Sequence, residues 1–325
     1  MNVGTEQWLA GIDIGGTTVK LAFISMEGTI LEKWEIPTNT EQGGVMVVQD
    51  ISESIQEKLQ TLGKTTEQLG AAGVGAPGFL EMETGFVYEA INIGWKDFAL
   101  KDELESQLGI PVSVDNDANL AALGEMWQGA GDGAQDVLFI TLGTGVGGGV
   151  ISNGQILHGA NGMAGELGHI TSIPEGGRPC NCGKTGCLET VSSATGIVQL
   201  ALDFLPQYPE SALRSLEQKG ALTAREVIVQ AEAGDACATA VVEKSMYYLG
   251  FAIANLANTL NPSRIVIGGG VSKGGQTLLE PLNDTYSKFV LKRVKEAADI
   301  KIAELGNDAG IVGAAWIAKE AKRKA

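Results

Sequence analysis

"IDIGGTTVKLAFISMEGTIL", residues 12–31, and "ITLGTGVGGGVISNGQIL", residues 140–157, follow one plan. Each runs from an apolar strand through a glycine-rich turn into a second strand, then through a tight turn into a third. In the later copy that tight turn is Asn153-Gly154, a pair suited to the positive φ angles of two-residue hairpins. The copies begin 128 residues apart, at Ile12 and Ile140. This spacing reads as an internal duplication of supersecondary structure, with one copy opening each half of the chain.

Outward from the first copy, residues 9–36 form three strands. An amphipathic helix follows around 45–62, then a Gly-rich strand "GAAGVGAPG" and a helix "LKDELESQLG" stopped by Gly109 and Pro111. The strand "PVSVDND" runs into the helix "ANLAALGEMW". This β-β-β-α-β-α-β-α order predicts an α/β fold. After the second copy come a cysteine-bearing loop, helices across roughly 190–217 and 224–260, and the strand "RIVIGGGVS". A further helix, the strand "IKIAEL" and a helix "AGIVGAAWIAKEAKR" follow. With 325 residues the chain is about twice the usual domain size, so two domains are expected, joined by a hinge near 117–136.

Apolar residues make up 44% of the chain and charged residues 19%, the balance of a soluble globular protein. A net charge of −16 argues against a non-specific nucleic-acid surface. It leaves room for a phosphate ligand held by backbone amides and Mg²⁺. The segment after Met1 has no basic region ahead of its first apolar run, and no apolar stretch nears the roughly 18 residues a bilayer span needs. The expectation is a cytoplasmic protein without membrane contact.

Asp13 stands where a strand enters a turn whose glycines let the backbone approach a ligand closely. A plain hairpin with a solvated acid is the other reading, weakened by the second copy at Thr141–Gly149, since two such hairpins would clamp one nucleotide. The amide-bearing candidates are Gly15, Gly16, Thr17, Thr18 and Lys20 in one turn and Thr141, Gly143, Thr144 and Gly145 in the other. A Rossmann site is excluded, because "GTGVGGG" leads into a strand rather than a helix. Gly268, Gly269 and Gly270 end a strand, and could leave room for a flat adenine ring.

"DNDAN", residues 115–119, falls where a strand ends and a helix begins, the place where open α/β sheets bind ligands. Asp117 is either the helix N-cap or a general base toward a substrate hydroxyl, and Asn116 offers both a donor and an acceptor beside it. In "GELGH", Glu166 and His169 are three apart and can face one ligand. Cys180, Cys182 and Cys187, with His169 upstream, make a Cys3His set of the kind that closes a tetrahedral structural zinc site. Three reduced, unliganded thiols are the alternative; in a reducing compartment clustered cysteines serve metals or catalysis more often than disulfides. Glu189 is held near this loop or serves as a first-turn helix acid. Cys237 reads as a small core residue.

Taken in order, "DIGGTT", "GAPG", "VDNDANLAALGE", "TLGTGVGGG", "GELGH", "CNCGKTGC" and "IVIGGGVS" make the sequence resemble the ROK family of bacterial sugar kinases and sugar-responsive repressors over essentially its whole length. The similarity is greatest to the glucose-phosphorylating members from Gram-positive bacteria. The resemblance implies an actin-like (ribonuclease H-like) two-domain α/β ATPase fold with duplicated β-hairpin phosphate loops and ATP bound between the domains. The division expected is 1–117 plus about 309–325 for a small domain, and 118–308 for a large one carrying the zinc loop. It also implies a homodimer or higher homo-oligomer.

Position by position, the resemblance puts the catalytic base on Asp117 and sugar contacts on Gly78, Asn116, Asp117, Glu166, His169 and Glu189. It puts zinc ligands on His169, Cys180, Cys182 and Cys187, and associates Asp13 with Mg²⁺ and the nucleotide phosphates. The expected activity is ATP-dependent phosphorylation of a hexose, glucose foremost, at its 6-hydroxyl. A kinase for fructose, mannose or N-acetylmannosamine is the nearest alternative. A sugar sensor is disfavoured because only about eight residues precede the first hairpin, leaving no DNA-binding element. A zinc hydrolase is disfavoured because four protein ligands leave the metal no open position.

Overall fold

Strand β1 (Trp8–Ile14) is apolar on both faces, the pattern of a strand covered on either side. The computed structural model describes residues 7–324; the readings that fall on 1–6 and 325, including the segment after Met1, lie outside the described residues. β1 pairs antiparallel with β2 (Thr18–Ser25), which pairs antiparallel with β3 (Ile30–Pro37). After helix α1 (Val47–Thr61), β4 (Leu69–Ala76) pairs parallel with β1. Next come a small meander, β5 (Phe79–Glu81), β6 (Phe86–Ala90) and β7 (Trp95–Phe98), and helix α2 (Leu100–Leu108). β8 (Val112–Asn116) completes the sheet in the order β3-β2-β1-β4-β8, and α3 (Asp117–Gln128) follows without a loop.

Alternation along the strands sends Ala10, Ile12, Leu21, Phe23 and Val74 into a core shared with α1 and α2. Leu9, Ala22, Ile24 and Ala71 point the other way and are covered by Ile311, Val312 and Ala315 of the last helix, Ala309–Lys324. That helix runs against strand backbone. A Cβ on Gly73 of β4 would fall 1.7 Å from the Ala314 carbonyl oxygen, so only glycine admits the approach.

The second sheet repeats the first. β9 (Val137–Leu142) and β10 (Val146–Ser152) form its antiparallel hairpin, with the two-residue β11 (Gln155–Ile156) beside β10. Helices α4 (Glu189–Ser192), α5 (Ala194–Phe204), α6 (Leu213–Gln218), α7 (Ala224–Glu232) and α8 (Ala236–Leu260) lead to β12 (Arg264–Gly268), parallel to β9. Helices α9 (Gln276–Phe289) and α10 (Lys292–Ala297) precede β13 (Asp299–Ile302), and the order is β11-β10-β9-β12-β13. The last helix, Ala309–Lys324, is α11. Leu138, Ile140, Ile265 and Ile267 pack against α5, α7 and α8 in a core of their own.

The compact units are residues 1–133, 156–164 and 305–325, and residues 134–155 and 165–304. The first runs past residue 117 because α3 packs on α11 through backbone: a Cβ on Gly313 would fall 1.8 Å from the Leu120 carbonyl oxygen. Two features lie beyond the sequence reading. The meander β5–β7 occupies a stretch with no predicted element, its strands being only three to five residues long. The helical run 224–260 breaks at Gly234, φ +86°, after which Asp235 Oδ1 accepts from Ala238 N at 2.9 Å to cap α8.

Candidate active site

In the first unit, β8 delivers "DND" to the start of α3. Asn116 is still extended, paired in register with Ala76, and its Oδ1 accepts from Ala118 N at 2.9 Å. Asn116 is therefore the N-cap, and the capping alternative for Asp117 is corrected: Asp117 is the first helical residue, its own Oδ1 also 2.9 Å from Ala118 N. The Asp117 side chain keeps an open edge, yet the protein massed around it pushes its carboxyl above the ordinary range; hydrogen bonds from Ala118 N and Asn116 oppose the shift.

Asp13, near the end of β1, is also raised, first by burial and then by the negative charge of Asp117, against the pull of Lys20 across the ladder. Its Oδ2 lies over the start of α11, where a Cβ on Gly310 would be 2.7 Å away. The β1–β2 turn is pinned from both sides: Gly15 N donates to the Thr18 carbonyl at 3.0 Å, and Thr38 Oγ1 donates to the Gly15 carbonyl at 2.7 Å. Gly16 and Thr17 are exposed at its tip, while Lys20 Nζ reaches the Asn307 carbonyl at 3.4 Å. Gly78 follows β4 with φ +100°, and a Cβ there would meet the Glu89 carbonyl oxygen at 2.1 Å. The structure thus gathers Asp13, its turn, Asn116 and Asp117 on the adjoining strands β1, β4 and β8.

In the second unit, Gly143 N donates to the Gly145 carbonyl at 3.0 Å to form the β9–β10 turn, and Thr195 Oγ1 holds the Thr144 carbonyl at 3.0 Å. Thr141 is the β9 residue in register with Gly147 and with Gly268 of β12. A cavity of about 870 Å³ opens beside this turn. Gly143 and Thr144 line one side and Gly270 another, with Gly269 folded at φ +84° against Leu142. Its remaining wall includes Thr223, Arg225, Ile228 and Lys273, none of which belongs to a motif.

Glu189, which opens α4, joins two features of the second unit. Its Oε1 accepts from the Cys180 thiol at 3.0 Å, and its Oε2 would sit 2.7 Å from a Cβ on Gly145. His169 Nδ1 is 3.6 Å from Cys180 Sγ, and Cys182 Sγ is 3.6 Å from Cys187 Sγ, too long for a disulfide. One donor atom from each of these four residues falls within a 4.8 Å span. Zn–S bonds of about 2.3 Å place tetrahedral ligands about 3.8 Å apart, so the set suits a four-coordinate soft cation. Burial above all pushes the Cys180 thiol up to about 12. His169 Nε2 turns toward Glu166 Oε2 at 3.8 Å, while Nδ1 faces both Cys180 Sγ at 3.6 Å and Glu189 Oε1 at 3.7 Å. Cys237 is fully buried in the second core.

Sequence reasoning missed His158. It lies in the first unit, where its Nε2 is 2.7 Å from Asp115 Oδ2. No motif marks it.

Two sheets of the same strand order, each opening on a hairpin with a glycine turn, define an actin-like α/β ATPase fold. The chain belongs to the ROK family, whose model matches residues 9–321. It is 57% identical to a glucokinase of Halalkalibacterium halodurans over 97% of this chain and 96% of that one. A solved ROK hexokinase of Thermus thermophilus superposes with a TM-score of 0.81 at 32% identity, covering 98% of this chain and all of the other. A ROK glucokinase of Streptomyces griseus, solved with glucose and AMPPNP, superposes with a TM-score of 0.75 at 33% identity, over 96% of this chain and 99% of the other. Among the described residues no helix is long and apolar enough to cross a membrane.

Proposed function

We propose that this chain transfers the γ-phosphoryl group of ATP to the 6-hydroxyl of glucose, giving glucose 6-phosphate and ADP. The observation that carries the reading is the end of β8: Asn116 caps α3 and leaves the carboxylate of Asp117 standing at the helix start, beside the turn that Asp13 introduces. The 57% identity to a protein named glucokinase supports glucose as the acceptor.

Asp117 takes the hydroxyl proton as the sugar oxygen attacks the γ-phosphorus and the bond to the ADP oxygen breaks. Gly78, Asn116, Glu166, His169 and Glu189 bind the sugar hydroxyls, which fixes which oxygen faces the phosphorus. The nucleotide lies in the 870 Å³ cavity, its adenine on Gly268, Gly269 and Gly270, where Arg225 and Lys273 line the wall. Backbone amides of the Gly15–Thr18 and Gly143–Gly145 turns receive phosphate oxygens. Asp13 holds Mg²⁺, which neutralises charge on the transferred group.

His169, Cys180, Cys182 and Cys187 hold zinc, which supplies the folding energy that a polar loop cannot draw from apolar contacts. The same reading makes the protein cytoplasmic and a homodimer or higher homo-oligomer. The test is the initial rate with Mg-ATP against glucose, mannose, fructose, N-acetylglucosamine and N-acetylmannosamine, detecting ADP and sugar phosphate together. Glucose should dominate kcat/KM; another sugar in front moves the error to the hydroxyl contacts, and no turnover with any of them rejects the kinase reading.

A further inference from the structure

The chain has two histidines, and His158 belongs neither to the cysteine cluster nor to any role assigned above. It stands at the start of the 156–164 segment of the first unit, where Ala164 N donates back to its carbonyl at 3.0 Å. Its partner Asp115 is 3% exposed and takes three donors. Oδ2 faces His158 Nε2 at 2.7 Å, while Oδ1 accepts from Asn116 N at 2.7 Å and from Asn119 Nδ2 at 2.9 Å. These bonds fix the peptide that joins Asp115 to Asn116 and the first turn of α3, the backbone from which the cap and Asp117 project. Without His158, Asp115 Oδ2 would be a buried acceptor with no partner among the described residues, and the carboxylate could turn to recover one.

We propose that His158 is a positioning residue for the phosphoryl-transfer centre: by donating to Asp115 it locks the carboxylate that orients Asn116 and the base Asp117. This rests on the kinase reading above. Asp117 has to meet a hydroxyl proton within a few tenths of an ångström, and small displacements of such a group are costly in rate. The bond to Asp115 holds the His158 imidazole above its ordinary value, against the opposing effect of burial, and Asp115 is the only acid within ion-pair distance of it among the described residues.

The test compares the whole wild-type chain with His158→Gln, His158→Asn and Asp115→Asn. It follows kcat and KM for glucose, the melting temperature, and the imidazole proton signals by NMR, where two histidines give two resonances. Glutamine can place a donor where Nε2 stands; asparagine is too short. His158→Asn should remain folded and lose about tenfold or more in kcat with a smaller change in KM, as a small displacement of a reacting group does. His158→Gln should recover most of that loss. One histidine should titrate above the usual imidazole range in wild type and fall back in Asp115→Asn.

Folded His158→Asn with wild-type kcat, or His158→Gln no better than His158→Asn, overturns the proposal. So does a His158 resonance indifferent to Asp115→Asn. A wild type that phosphorylates no sugar defeats the kinase reading and this inference together, whereas an active wild type with indifferent variants defeats this inference alone.

Discussion

Asn116 caps the helix that Asp117 begins: its Oδ1 and the Asp117 Oδ1 are each 2.9 Å from Ala118 N. The cap and the proposed general base thus sit on adjacent side chains, with Asn116 also a proposed sugar contact, so Asp117 alone carries the proton transfer. Asp117→Asn should lower kcat by about 10²-fold or more without loss of thermal stability, the melt near neutral pH moving up if at all because the carboxyl it replaces is raised. Asn116→Ala should do the reverse to stability, costing about 1 kcal/mol through the lost cap. Steady-state rates alongside circular dichroism melts separate the two; a near wild-type rate in Asp117→Asn removes it as the base.

The raised carboxyls of Asp117 and Asp13 set the direction of the pH response. A base must be ionised, so the acid limb of kcat/KM should lie above the usual carboxylate range, and activity should fall as pH drops through the raised value. The stability effect has the opposite sign. A carboxyl whose folded pKa exceeds its unfolded one binds its proton more tightly when folded, so its contribution favours the fold at low pH and fades as pH rises through the folded value. Asp13→Asn should accordingly raise the melting temperature near neutral pH while lowering activity. A melting temperature that falls instead would count against the burial of that charge.

Metal analysis should find about one zinc per chain in wild type and a deficit in Cys182→Ala. Glu189 touches both Cys180 and the Gly145 turn, so disorder in the metal loop should reach the sugar contacts and raise KM for glucose. All five tryptophans lie in the first unit, which gives a spatial control. Removing metal with a chelator should diminish the helical dichroism of the second unit before tryptophan emission shifts. Zinc loss with unchanged dichroism and abolished turnover would point to a catalytic metal.

Gly73→Ala forces a methyl group into the Ala314 carbonyl and should cost about 2 kcal/mol or more, since neither backbone can yield cheaply. Urea unfolding followed by tryptophan emission reads this directly, because those residues report on the first unit. An unchanged midpoint would show that α11 can shift away from β4.

Much of this was legible locally. The hairpins at 12–31 and 140–157 announce themselves because strand alternation and turn glycines are short-range signals, and both fall where the duplicated pattern places them. Cys180, Cys182 and Cys187 cluster in sequence, so their convergence with His169 needs only one loop to close. His158 had no such marker: its partner is 43 residues earlier and on another element. The cavity wall is equally silent, since Thr223, Arg225 and Lys273 come from two separate segments brought together by packing of the second core. The sequence reading put the cap on Asp117, one residue too late, because Asp and Asn both cap well and nothing local marks where the strand stops; the register of β8 on β4 decides for Asn116 by keeping it extended.

The cover that α11 provides for β1 and β4 has a consequence for the order in which the protein is made. Residues 7–133 leave the ribosome with Leu9, Ala22, Ile24 and Ala71 unshielded, and the helix that buries them begins at Ala309. At about 5–20 residues per second, that face waits roughly 9 to 35 seconds for its partner. The second unit, whose segments end at Glu304, has its whole sequence available first. The half synthesised earlier is therefore the half completed later, and for that interval its open sheet face is the part of the nascent chain most in need of a chaperone.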